Sequence, residues 1–107
     1  MIDPKLQAEL RAKFNPDGSK LRNYQLYLLQ MLKDFDTICN ELGVKYWLSS
    51  GTLIGAARHG GFIPWDDDID VEMTKDDYEK LLNSFQETDK YAIQYHENDK
   101  YFFQTFA

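Results

Sequence analysis

Gly60-Gly61-Phe62-Ile63-Pro64-Trp65-Asp66-Asp67-Asp68-Ile69-Asp70-Val71 is the stretch on which the reading of this chain turns. It sets carboxylates at alternate positions, Asp66, Asp68 and Asp70, with apolar Ile69 and Val71 interleaved. As a strand it would place Asp68 and Asp70 on one face, roughly 6.5–7 Å apart along the backbone. Two carboxylates on one face repel, and folding alone gives no reason to keep them there. A bound divalent cation would resolve the repulsion. The plainer alternative is an acidic strand edge or turn.

The residues just upstream favour the cation. Val44-Lys45-Tyr46-Trp47-Leu48 is short and rich in β-formers, so a strand is predicted. Ser49-Ser50-Gly51 follows as a small-residue turn, and residues 52–58 (Thr-Leu-Ile-Gly-Ala-Ala-Arg) read as a short helix capped by Thr52 or Ser50. His59-Gly60-Gly61 ends that helix, and residues 67–73 form the acidic strand. Small residues at a strand-to-helix turn let backbone N–H groups approach an anion, and the helix N-terminus adds a favourable partial charge. Ser49, Ser50 and Thr52 can add hydroxyl donors. Asp68 and Asp70 can hold Mg²⁺ or Mn²⁺, hard ions that prefer carboxylate oxygen. A phosphate chain between turn and metal would be neutralised from both sides, the layout for transfer of a phosphoryl or nucleotidyl group. Ser-Gly turns and Asp-x-Asp pairs are each common, and the signal lies in their combination. An EF-hand reading of Asp66-x-Asp68-x-Asp70 fails. Val71 stands where that loop needs Gly, and Asp77 where it needs a bidentate Glu.

The rest of the chain frames this centre. Residues 4–14 predict a short helix, with Leu6, Leu10 and Phe14 on one face. Asn15-Pro16-Asp17-Gly18-Ser19 breaks it. Residues 20–42 predict a long helix with Leu21, Tyr24, Leu28, Leu32, Phe35, Ile38 or Cys39, and Leu42 turned inward, stopped by Gly43. Thr74 caps a helix running to about Phe85, with Tyr78, Leu81, Leu82 and Phe85 inward. Asp76 and Asp77 are explained by its dipole. Tyr91–His96 and Tyr101–Phe106 read as two strands around a turn at 97–100, with His96 a polar strand-end residue. The fold class is α+β (α/β-like), a small mixed sheet flanked by helices. The last strand reaches Ala107 with no closing element, so the chain reads as cut short at its C-terminus.

Composition bounds the partners. The chain has 107 residues, enough for one small domain. Its 18 acidic residues outnumber 12 basic ones, for a formal charge of −6, which argues against a nucleic-acid groove. A metal ion can still reverse the local sign for a nucleotide. Cys39 is the only cysteine, so an intrachain disulfide is excluded, and its helical position makes it core filler. No apolar stretch nears the roughly 18–20 residues of a membrane span, and the N-terminus lacks a signal-peptide layout. A soluble, cytoplasmic chain is the expectation.

Residues 51–71, Gly-Thr-Leu-Ile-Gly-Ala-Ala-Arg-His-Gly-Gly-Phe-Ile-Pro-Trp-Asp-Asp-Asp-Ile-Asp-Val, resemble the signature of the LicD family, which belongs to the nucleotidyltransferase-fold superfamily and is related to the fukutin-type transferases. The preceding helix and the strand ending in Tyr46-Trp47-Leu48-Ser49-Ser50 also fit. The resemblance covers roughly residues 20–107, the N-terminal part of a family member, with residues 1–19 as a separate helix and linker. It implies a nucleotidyltransferase fold. It also implies that Ser50-Gly51 is the phosphate turn, that Asp68 and Asp70 are the metal-binding pair and that Asp66 supports the metal. Thr52, Arg58 and His59 are matched positions on the donor side. For Arg58 and His59, a helix C-terminal cation and its neighbour is an equal alternative. Trp65 packs to fix the acidic strand, or stacks on a base.

Family members transfer phosphocholine from CDP-choline, or related phospho-alditols from CDP-activated donors, to a glycan. The resemblance therefore implies a Mg²⁺ (or Mn²⁺) cofactor, a CDP-choline-like donor and a cell-surface glycan precursor as acceptor, met at the inner face of the membrane. A sugar hydroxyl would be the nucleophile and CMP the leaving group. The third carboxylate of the superfamily, often the general base, lies on a later strand, and no residue before Ala107 is assigned to it. Two other readings stay open: a metal-dependent glycosyltransferase using a nucleotide-sugar, and a non-catalytic interaction module on the same fold.

Overall fold

The computed structural model describes residues 1–94. Within them the order is α1 (Pro4–Phe14), α2 (Lys20–Leu42), β1 (Trp47–Leu48), α3 (Ser50–His59), β2 (Val71–Glu72) and α4 (Lys75–Ser84). The two strands pair antiparallel, Trp47 opposite Glu72 and Leu48 opposite Val71. This is a mixed α+β arrangement; among the described residues its sheet is a two-stranded antiparallel pair rather than a mixed sheet. The predicted strand at Tyr91–His96 is absent over 91–94. Its remainder, with His96, the turn at 97–100 and the strand at Tyr101–Phe106, lies outside the described residues.

Each helix starts and stops for local reasons. Asp3 caps α1 by accepting from Lys5 N–H, with Pro4 in the first turn where its missing N–H costs nothing. Ser19 Oγ accepts from Arg22 N–H at the head of α2. Thr74 Oγ1 accepts from Asp77 N–H at the head of α4 and donates to the Asp77 carboxylate. Gly43 closes α2 at φ +70°; its N–H bonds Asn40 O and the next N–H, of Val44, bonds Cys39 O at 2.8 Å. That is a complete Schellman stop. It also corrects the predicted strand over residues 44–48. Val44 is spent on the stop and on the core, so ladder pairing begins only at Trp47.

The core sits between α2, α4 and the strand pair. Cys39, Val44 and Leu81 are its buried centre, with Phe35, Leu42, Tyr46, Met73, Phe85 and Ile93 packed around them. Burial and the nearby Asp36 and Asp77 charges push the Cys39 thiol up to about 11, so it stays protonated, as core filler should. One inward position of α2 was misplaced. Tyr24 is half exposed, and the buried side chain on that turn is Gln25.

Candidate functional site

The acidic stretch is not a strand: a tight turn over residues 63–66 leads into an irregular run over 66–70. Asp66 N–H bonds Ile63 O at 2.9 Å, and pairing starts only at Val71. The expected strand over residues 67–73 thus narrows to Val71–Glu72. The cause is a competition for backbone groups. The carbonyls of Pro64 and Asp66 both accept from the Gln25 side chain, at 3.3 and 2.8 Å, and Asp70 N–H is taken by Thr52 Oγ1 at 2.9 Å. Like charges at every second position add repulsion to any flat arrangement.

The turn gathers Asp66, Asp67 and Asp68, each offering a carboxylate oxygen with all of these atoms within 4.8 Å of one another. Strand alternation would have sent Asp67 to the opposite face; the turn brings it in. Burial, then the Asp68 charge beside it, raises the Asp66 carboxyl above the usual carboxylate range. Asp68 and Asp70 are exposed. Asp70 lies in the continuation of the ladder, its carbonyl accepting from Ser49 N–H at 3.0 Å.

Opposite the turn stands the N-terminus of α3. The predicted cap was Thr52 or Ser50, but Ser49 occupies the cap position and its side chain makes no capping bond. The Ser49 hydroxyl instead donates to Glu72 Oε1 at 2.8 Å, and Glu72 Oε2 accepts from Trp47 Nε1 at 3.1 Å. Ser50, the first helical residue, takes φ +52°, the only positive φ of a non-glycine among the described residues. An L-residue there is strained, a conformation that clusters at functional turns. Gly51 comes so close to the turn that a Cβ on it would lie 2.9 Å from Asp66 Oδ2. Thr52 ties the same helix end to Asp70. Ser50, Gly51, Thr52, Asp66 and Asp70 are therefore one neighbourhood, joined to Asp68 through the turn.

Arg58 and His59 are elsewhere, nine residues along α3, on the order of 13 Å from its N-terminus. Arg58 Nε donates to His59 Nε2 at 3.0 Å, which leaves the proton on Nδ1, facing Gln7 Oε1 at 2.6 Å. Burial, then the Arg58 charge, lowers the His59 pKa, in keeping with that neutral tautomer. His59 faces α1, and the Arg58 carbonyl accepts from Ile2 N–H just ahead of it, at 2.9 Å. Trp65 is half exposed and meets Phe14 edge-on at 5.3 Å, with His59 at 6.5 Å.

A groove of about 950 Å³ opens beside the site, with Ser49, Ser50, Asp70 and Glu72 on its polar side and Met31, Phe35, Tyr78 and Leu82 among its apolar walls. The sequence reading missed Asp67, Glu72 and Gln25. Gln25 had left a signal: it falls four residues after Leu21 and three before Leu28, on the inward stripe.

Residues 43–106 match the family model described as LicD/FKTN/FKRP, nucleotidyltransferase domain. The chain belongs to the LicD family. It is similar to the lipopolysaccharide cholinephosphotransferase LicD of Haemophilus influenzae, 52% identical over 69 residues, which is 64% of this chain and 26% of that protein. It is 57% identical over 40 residues to the human ribitol 5-phosphate transferase FKRP, covering 37% of this chain and 8% of that protein. An uncharacterised protein of Rickettsia prowazekii is 36% identical over 93 residues, 84% of this chain and 33% of the relative. The chain thus spans about a quarter to a third of the length of these bacterial relatives. No solved structure gives a significant match.

Proposed function

We propose that this chain carries the donor-binding part of a metal-dependent transferase on a nucleotidyltransferase fold. It would move phosphocholine, or a related phospho-alditol, from a CDP-activated donor to a hydroxyl of a cell-surface glycan precursor. The observation that carries the reading is the approach of the α3 N-terminus, at Gly51, to the Asp66 carboxylate. A glycine there leaves the space that a side chain would fill against the Asp66 carboxylate. Family membership supports it, as do the transferase activities for which the Haemophilus and human relatives are named.

The donor set fits a hard divalent cation. Asp66, Asp67 and Asp68 present oxygens only, and these lie close enough together to share one ion. Asp66 and Asp68 would hold Mg²⁺ or Mn²⁺, with Asp70 completing the set and Asp67 as the carboxylate the turn adds. When bound, the ion supplies charge neutralisation for the donor pyrophosphate and the departing CMP.

The remaining work falls to the chain itself. The first N–H groups of α3, at Ser50, Gly51 and Thr52, lack intrahelical partners and favour an anion. The Ser50 hydroxyl lies 3.3 Å from Ser49 Oγ, and with Ser49 donating to Glu72 it is Ser50 that donates across that contact. The Thr52 oxygen holds Asp70 N–H while its own hydrogen stays free to donate. Ser49 is committed to Glu72, so it orders the turn rather than binding phosphate. In this reading Arg58 and His59 hold α1 against α3.

The test is calorimetric titration of the chain with CDP-choline, with and without Mg²⁺, alongside Asp68→Asn. Metal-dependent binding that D68N weakens by about tenfold or more is the expected result. Metal-dependent donor binding unchanged in D68N would remove Asp68 from the site.

A further inference from the structure

The most deeply buried long side chains of the described residues include two amides, Gln25 and Asn15, at 0% and 1% exposure. We propose that Gln25 is a positioning residue for the Asp66–Asp68 turn and that Asn15, from the segment after α1, sets the orientation of its amide. The consequence for cation binding rests on reading that turn as the cation site.

Gln25 has its four hydrogen-bonding positions filled. Nε2 donates to Asp66 O at 2.8 Å and Pro64 O at 3.3 Å. Oε1 accepts from Asn15 Nδ2 at 2.7 Å and from an Arg22 guanidinium N–H at 3.4 Å. Carbonyl oxygens only accept and a guanidinium only donates, so this amide has one workable orientation. Flipped, it would set Oε1 against two carbonyl oxygens. Asn15 is held in turn by Arg11, whose Nη2 donates to Asn15 O at 3.0 Å and to Asp17 at 2.8 Å. A continuous chain of bonds therefore runs from Asp17 through Arg11, Asn15 and Gln25 to the backbone of Asp66.

The two carbonyls that Gln25 grips flank Trp65, and the second immediately precedes Asp67. They fix the backbone from which the carboxylates project. A core position needing only volume would suit Leu, which shares the periodicity of its neighbours on α2. An amide is required only because the turn presents carbonyls inward, Pro64 O buried and Asp66 O partly so. Carboxylates that share an ion must be held within a fraction of an ångström, and partners that orient ligands act on affinity for that reason.

The experiment uses Gln25→Leu and Asn15→Ala in the 107-residue chain, with three readouts: the dissociation constant for Mn²⁺ alone, amide hydrogen exchange at Asp66–Asp68 and at Leu81, and the thermal midpoint. The expected result is a loss of Mn²⁺ affinity of about tenfold or more in Q25L and a smaller loss in N15A. Exchange should quicken at Asp66–Asp68 and stay unchanged at Leu81. A lowered midpoint with Mn²⁺ affinity within about twofold of wild type and unchanged exchange at the turn would overturn the proposal, leaving Gln25 a packing residue. If the wild-type chain binds no Mn²⁺, the cation reading fails. Exchange then decides alone: selective quickening at the turn supports the positioning role, and none refutes it. If Q25L does not fold, N15A decides by the same readouts.

Discussion

Gly55→Ala should unfold this chain more easily, against the rule for helices. In an exposed helix interior, Gly→Ala gains about 1 kcal/mol. Gly55 is buried where α3 crosses the loop leading into the acidic turn. A Cβ there would overlap Gly61 O, lie 2.9 Å from Ile63 N and 3.3 Å from Phe62 C. All three are backbone atoms that cannot rotate away, so the loop must retreat by about 1 Å to reach ordinary contact. Overpacking of this kind costs about 1–3 kcal/mol. The bond from Gly61 N–H to Gly55 O, already 3.3 Å, would stretch and forfeit about 1 kcal/mol. Set against the propensity gain, the net is a destabilisation of about 2 kcal/mol. Urea denaturation followed by far-ultraviolet circular dichroism reads it directly. Ala57→Gly, exposed on the same helix, is the control and should lose about 1 kcal/mol. A G55A chain as stable as wild type, or more so, would refute the close crossing of α3 over the loop, and with it the placement of Gly51 against Asp66.

Ser50→Gly should raise stability by about 1 kcal/mol, because it removes the cost of a left-handed L-residue; a loss in the same urea titration would deny the positive φ. His59 has its pKa lowered on folding, so the unfolded chain binds its proton first, and the stability it contributes falls as pH drops through the window between its ordinary and its lowered value. Wild type should therefore lose thermal midpoint relative to His59→Gln as pH falls from about 7 to about 5; parallel curves would contradict the neutral His59 bridge to Gln7. Cys39, buried with its thiol raised to about 11, should resist a thiol-specific disulfide reagent until urea unfolds the chain, and rapid labelling of the native protein would contradict its place in the core.

The helices were legible because their signals are local. Apolar spacing gave α1, α2 and α4, Gly43 and Gly60 marked stops that the structure finds at φ +70° and +68°, and Thr74 marked a start. The sequence also grouped residues that the fold brings near one another, with Gly51 against Asp66 and Thr52 bonded to Asp70. The shape of the acidic stretch was not legible. Period-two spacing argued for a strand, but the backbone groups a strand needs are bound by Gln25, 41 residues upstream of Asp66, and by Thr52, 18 upstream of Asp70. A bond across such a separation leaves only an indirect mark, here a polar residue on an apolar stripe. For Arg58 and His59 the sequence left two readings level, a donor-side contact and a helix C-terminal cation with its neighbour. Helix α3 carries them to its far end, where His59 meets Gln7 of α1 and the Arg58 carbonyl accepts from Ile2 N–H.

The most direct test of the proposed cation site is an amide NMR titration of the chain with substoichiometric Mn²⁺, whose paramagnetism broadens nearby resonances. The site described here predicts that Gly51, Asp66, Asp67, Asp68 and Asp70 broaden first while the amides of α4 stay sharp, and that D68N abolishes the pattern. Broadening centred on another part of the chain, or spread evenly over its acidic surface, would contradict it.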